Sequence, residues 1–210
     1  MNSTQITDLL LVIQAAIVLL IAIRAFYLYF QTRSAILFTL GLSMGVIAIG
    51  GIAGLIGDIL LKGSFNTFWF RYIGQTVSYF FIFLSILIVG RSAKNVRDLR
   101  SWHLFATALL LILLLMTPLI PVNPGVMITE LLSGSRSVVC LAIFFSYFAI
   151  FCSKETRFSF LMALAFLLIS VGIAVYTAKF SEHNPLLLDY VGDSTRIAGL
   201  VILLLAFFVG

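Results

Sequence analysis

Residues Ser34–Leu61 read SAILFTLGLSMGVIAIGGIAGLIGDILL. Up to Gly57 the stretch carries no charged side chain, and Asp58 is its first. A helix crossing the bilayer core needs about 20 mostly apolar residues, and this run supplies them. Outward from it, polar breaks divide the chain into seven such runs, at about 6–30, 34–61, 68–90, 103–121, 126–152, 157–179 and 187–209. The breaks QTRS, KGSFN, RSAKNVRDLRSW, PVNPG, SKET and KFSEHNP are all too short for a soluble domain. The 210 residues are 62% hydrophobic and 10% charged, with a mean hydropathy of +1.18. A soluble domain has about 25% charged residues. The fold expected is therefore all-α, a single seven-transmembrane helix bundle over residues 1–210. The N-terminal MNSTQITD has no basic residue before its apolar run, so that run reads as a retained span and not a cleaved signal.

Basic residues give the expected orientation. Arg33, Arg91, Lys94, Arg97, Arg100, Lys154 and Arg157 fall in the odd-numbered loops, with Arg24 near the same side. Only Asp98 and Glu155 oppose them there. The other side holds Lys62, Lys179, Arg71, Arg136 and Arg196 against Asp8, Asp58, Glu130, Glu182, Asp189 and Asp193. Basic loops stay in the cytoplasm, so the N-terminus is expected outside and the C-terminus inside. The formal charge of +5 is then an orientation signal, and nucleic acid is not an expected partner.

Apart from Arg24, the charges within spans collect toward the outer side, where charge is costly and lines cavities or pairs with a partner. Residues three and four apart share a helix face. Arg71, Gln75 and Ser78 follow that spacing on span three. Glu130, Ser133 and Ser137 follow it on span five, and Asp189, Asp193 and Arg196 on span seven. Arg136 lies about 60° around from Ser133, and Tyr176 and Thr177 on span six reach the same level. Two readings stand side by side. In one, Arg71, Arg136 and Arg196 pair with Glu130, Asp193 and Asp58 and only lock the helices together. In the other, Arg71, Gln75, Glu130, Arg136, Asp193 and Arg196 line an outward-facing pocket, its arginines holding a small anion or carboxylate. Span two also carries Gly41/Gly45 and Gly50/Gly54 at the four-residue spacing that lets helices approach closely.

Catalytic and metal-binding signatures are missing. His103 and His183 fall on opposite sides of the expected topology, so no histidine metal site forms. No C-x-x-C pair, phosphate loop or nucleophile elbow occurs, and Ser133, Ser135 and Ser137 have no histidine nearby. Cys140 and Cys152 lie on one expected helix, about 18 Å apart by helix rise, too far for a disulfide. Enzymatic activity, a metal and a cofactor are not expected.

Residues 37–86, LFTLGLSMGVIAIGGIAGLIGDILLKGSFNTFWFRYIGQTVSYFFIFLSI, resemble the seven-helix sensor region found ahead of histidine-kinase and other signalling domains in bacteria and archaea. The shared features are a long apolar helix, an aromatic-rich segment and the step Tyr72-Ile73-Gly74. The resemblance implies signal perception by the helices and a response carried by a following domain, whereas this chain ends at Gly210 with span seven. A weaker resemblance joins Arg71-Tyr72 and Asp193 to microbial rhodopsins. Arg196 or Ile197 stands where their retinal lysine would be and Gly74 where their counterion would be, so it implies the seven-helix plan without the chromophore.

The function expected is a sensor or receptor-like protein of the plasma or inner membrane. Its partners would be the lipid bilayer, a small-molecule ligand and a cytoplasmic signalling partner or fused effector. A transporter or channel is the first alternative. Its polar path would have only Arg24 and the scattered Gln14, Ser43, Ser85, Thr107, Ser146 and Ser170 below the outer cluster. A membrane assembly protein with a structural charge network is the second.

Overall fold

The computed structural model describes residues 3–57, 66–88, 93–120, 125–180 and 185–209. Among these there are seven helices long and apolar enough to cross a membrane, and no strand. They are α1 (Ser3–Thr32), α2 (Ala35–Leu55), α3 (Phe68–Ile88), α4 (Ala93–Met116), α5 (Val126–Lys154), α6 (Arg157–Ala178) and α7 (Pro185–Val209). Five of the apolar runs become helices close to their expected bounds; the second is helical from Ala35 to Leu55, and positions 58–61 of its expected range lie outside the described residues. The fourth begins ten residues earlier, because Ala93–Trp102 is helical although polar. Alanine, leucine, lysine and arginine favour helix whatever their polarity, and neither glycine nor proline interrupts the segment. Lys62, Glu182 and His183 lie outside the described residues, as does Asp58, an expected partner for the arginines.

Two of the connections are tight. Arg33 takes a left-handed backbone, φ 56°, and its N–H bonds the Tyr29 carbonyl at 2.7 Å. Glu155 does the same after α5, with φ 52° and its N–H on Phe151 at 2.7 Å. In each case the last carbonyls of one helix are satisfied before the next begins. Thr156 then caps α6 by accepting the Ser159 N–H.

The chain forms two compact units, one of residues 1–17 with 123–210 and the other of residues 18–122. In the first, α6 packs against both α5 and α7. Its buried side chains include Ile143, Met162, Phe166, Ile169, Ile173 and Leu203. Tyr147 stacks on Phe166 with ring centres 6.2 Å apart, and Phe158 meets Phe207 edge-on. At Gly172, Gly192 and Gly199 the α6 and α7 backbones come so close that a Cβ would sit within 3 Å of backbone atoms across the seam.

In the second unit α3 packs against α2 and α4. Phe70 is fully buried with Val46 and Leu110. The Arg100 guanidinium lies over the rings of Tyr29 and Phe38, at 5.6 and 5.1 Å. Gly41, Gly50 and Gly54 are the residues expected to bring helix backbones together. They instead receive side chains: the Phe26 ring at Gly41, the Phe70 ring at Gly50, and Arg71 at Gly54. Nothing lies within 4 Å of where a Gly45 Cβ would be. Lipid tails are as apolar as leucine, so within a membrane these shape matches and polar contacts hold helices together where apolar burial does not.

Candidate functional site

The polar residues of α5 are set by helix periodicity. Ser133, Arg136 and Cys140 recur every three or four positions and are buried. Arg136 is 3% exposed, and its Nη2 donates to Ser133 Oγ at 2.7 Å. Ser133 Oγ lies 2.6 Å from Thr177 Oγ1 on α6. The Thr177 hydroxyl donates to the Ile173 carbonyl at 2.7 Å, so its single proton is committed and it accepts from Ser133. The bonds therefore run one way, from Arg136 through Ser133 and Thr177 to the α6 backbone.

One turn along, Ser137 and Ser170 clasp α5 to α6. Ser137 Oγ donates to the Ser170 carbonyl at 2.9 Å, and Ser170 Oγ donates to the Ser137 carbonyl at 2.8 Å. Ser170, one of the scattered candidates for a polar path, is thus committed to the backbone.

On α7, Arg196 Nη1 donates to Asp193 Oδ1 at 3.0 Å, and Asp193 is buried. Gly172 on α6 makes this possible, since a Cβ there would stand 2.6 Å from Arg196 Cγ. Glu130 is half-buried one turn before Ser133. Asp189 turns to the end of α6, where Lys179 Nζ donates to it at 2.7 Å and lies 3.8 Å from the centre of the Tyr176 ring. Burial acts to lower the Lys179 pKa. Tyr176 and the Asp189 carboxylate outweigh it, so the ammonium is held above its ordinary value.

Four of the six candidate residues, Glu130, Arg136, Asp193 and Arg196, thus belong to the α5–α7 unit, and Arg71 and Gln75 belong to the other. There the Arg71 stem runs over Gly50 and Gly54, with Nη1 3.2 Å from a Cβ placed on Gly54. Gln75 and Ser78 are buried one turn apart on α3. The one described carboxylate of that unit is Asp98, on α4.

Sequence reasoning did not pick out Gly172, Gly192 and Gly199. Gly192 and Gly199 are seven residues apart, two turns on one face of α7, and that spacing was the available signal. It also left His103 without a role. Among the described residues no group of three His, Cys, Asp or Glu side chains could hold a metal.

Seven helices long and apolar enough to cross a membrane define a multi-pass membrane protein. Compared with known proteins, the chain matches no family model, no curated protein and no solved structure.

Proposed function

We propose that this protein is a sensor or receptor-like protein of the plasma or inner membrane, with its N-terminus outside and its C-terminus cytoplasmic. A small anionic ligand, a carboxylate or an inorganic oxyanion, enters the α5–α7 unit from outside. Arg136 and Arg196 meet it, with Ser133, Thr177 and Asp193 around them and Glu130 toward the entrance. Ligand binding shifts α5 against α7, and the basic cytoplasmic loops pass the change to a partner or a fused effector. The observation that carries the reading is the placement of two arginines in membrane-spanning helices of one unit, Arg136 on α5, buried and bonded to Ser133, and Arg196 on α7, part-buried and bonded to Asp193. Charge at that depth marks a site or a structural pair. The resemblance of residues 37–86 to bacterial and archaeal sensor regions supports the signalling half of the reading.

The test is thermal unfolding in lipid nanodiscs with phosphate, sulfate, acetate and short dicarboxylates. At least one should raise Tm in a concentration-dependent way, and Arg136→Lys, which keeps charge but loses the planar fork, should weaken the shift tenfold or more. If no anion moves Tm, the sensor reading fails. A second reading, a purely structural network, is favoured by the Arg196–Asp193 contact at 3.0 Å and by the serine clasp. It expects Asp193→Asn to lower Tm and every anion to be without effect.

A further inference from the structure

The α2–α4 unit holds a second polar group, made of Ser43, Ser78 and His103, each at most 1% exposed. Ser43 Oγ donates to the Ser78 carbonyl at 2.9 Å and lies 3.4 Å from His103 Nε2. A carbonyl oxygen only accepts, so the single Ser43 proton is committed to it. Ser43 Oγ must then accept from the ring, which puts the imidazole proton on Nε2. In the neutral ring Nδ1 is left as a bare acceptor. The ring itself is fixed, stacked on Phe81 with centres 4.3 Å apart and planes 10° from parallel. Nδ1 of His103 and Oγ of Ser78 are both buried, and neither has a hydrogen-bond partner among the described residues.

We infer that α2, α3 and α4 hold an internal water molecule between His103 and Ser78. The two atoms need complementary things: Nδ1 needs a donor, and the Ser78 hydroxyl needs an acceptor. One water supplies both, giving a proton to Nδ1 and accepting the Ser78 proton. Buried waters occupy sites of this kind, with two or more otherwise unsatisfied polar partners. Helices of a membrane protein cannot draw on bulk solvent to satisfy such atoms. The water thereby adds a polar link to the two made by Ser43. The site is independent of the anion site of the α5–α7 unit.

Two measurements on the full chain in nanodiscs test this. In protein labelled with ¹⁵N-histidine, a His183→Gln background leaves His103 as the one histidine, since the chain has two. Water-edited magic-angle-spinning spectra should show the Nε2–H tautomer, with magnetisation passing from water to Nδ1. The second measurement is a thermal double-mutant cycle with Ser78→Ala and His103→Phe, the phenyl ring keeping the stack on Phe81. Each single variant should lower Tm, and the double variant should fall no further than the worse single one, because removing both partners removes the need for the water. A proton on Nδ1, or no transfer from water to Nδ1, overturns the inference, as do Tm losses that add. Should the variants fail to fold, the spectra of the His183→Gln protein decide the matter.

Discussion

The two units use glycine in opposite ways. Between α6 and α7, Gly172, Gly192 and Gly199 bring backbone against backbone, with carbonyls where a side chain would be. In α2, Gly50 and Gly54 leave room for large side chains, the Phe70 ring and the Arg71 stem. The first contact is rigid, because a peptide group cannot rotate aside. The second is compliant, because an arginine can. Sequence spacing does not separate the two cases: α2 has the four-residue glycine spacing associated with close helices, yet the closest approach lies elsewhere. What decides is the residue that faces the glycine, and that residue comes from another helix.

The largest effect should come from breaking the rigid seam. Gly172→Ala puts a methyl group 2.6 Å from Arg196 Cγ and 2.7 Å from the Gly192 carbonyl oxygen. Overpacking of this kind costs about 3 kcal/mol, and reversible unfolding in mixed micelles should show it. Gly54→Ala is the control: its methyl group meets Arg71 Nη1 at 3.2 Å, a movable side-chain end, and the loss should stay below about 1 kcal/mol. Next comes Asp193→Asn, which leaves the Arg196 charge without its carboxylate. Breaking a fully buried pair costs about 3–5 kcal/mol. Both members here keep some exposure, 12% and 10% of the side chain, so we expect about 2 kcal/mol in the same assay.

Ser137→Ala removes one half of the α5–α6 clasp and leaves the Ser170 carbonyl without that donor. A lost interhelical hydrogen bond in a membrane is worth about 1 kcal/mol. Ser170→Ala should cost the same, and the double variant should cost less than twice as much if the two halves act together. The smallest effect is a pH dependence at the end of α6. The native pKa of Lys179 is raised, so its contribution to stability is complete below the ordinary lysine value of about 10.4 and is lost as pH rises through the native one. We expect about 0.5–1 kcal/mol for this pair at the helix end, its side chains each 17% exposed, read as a Tm drop at alkaline pH that is absent in Lys179→Met.

The seven spans were legible because membrane insertion depends on the length and polarity of single segments, which a one-dimensional reading captures. The polar stripes were legible for the same reason, since Glu130, Ser133 and Ser137 share a face by helix geometry alone, with Arg136 about 60° around from Ser133. The start of α4 was not, because Lys94, Arg97, Asp98 and Arg100 are polar enough to look like a loop while being good helix formers. Partner identity was not legible either. Asp189 has the spacing to join Asp193 and Arg196, yet it turns to Lys179, a choice made by the neighbouring helix. His103 looked like a residue of the inner edge and is instead 1% exposed, held by Ser43 from α2 and Phe81 from α3.

The left-handed turn at Glu155 has a consequence for biogenesis. Because α5 reverses within two residues into α6, the pair is a helical hairpin joined by a two-residue link. Ser137 and Ser170 face each other across that hairpin, so each hydroxyl finds the other residue's carbonyl once the hairpin closes. A hairpin leaving the translocon as one piece shows lipid a surface from which its serines have already been withdrawn. Lengthening the turn would separate the two helices in time, and each would then enter the bilayer with a hydroxyl still seeking its carbonyl.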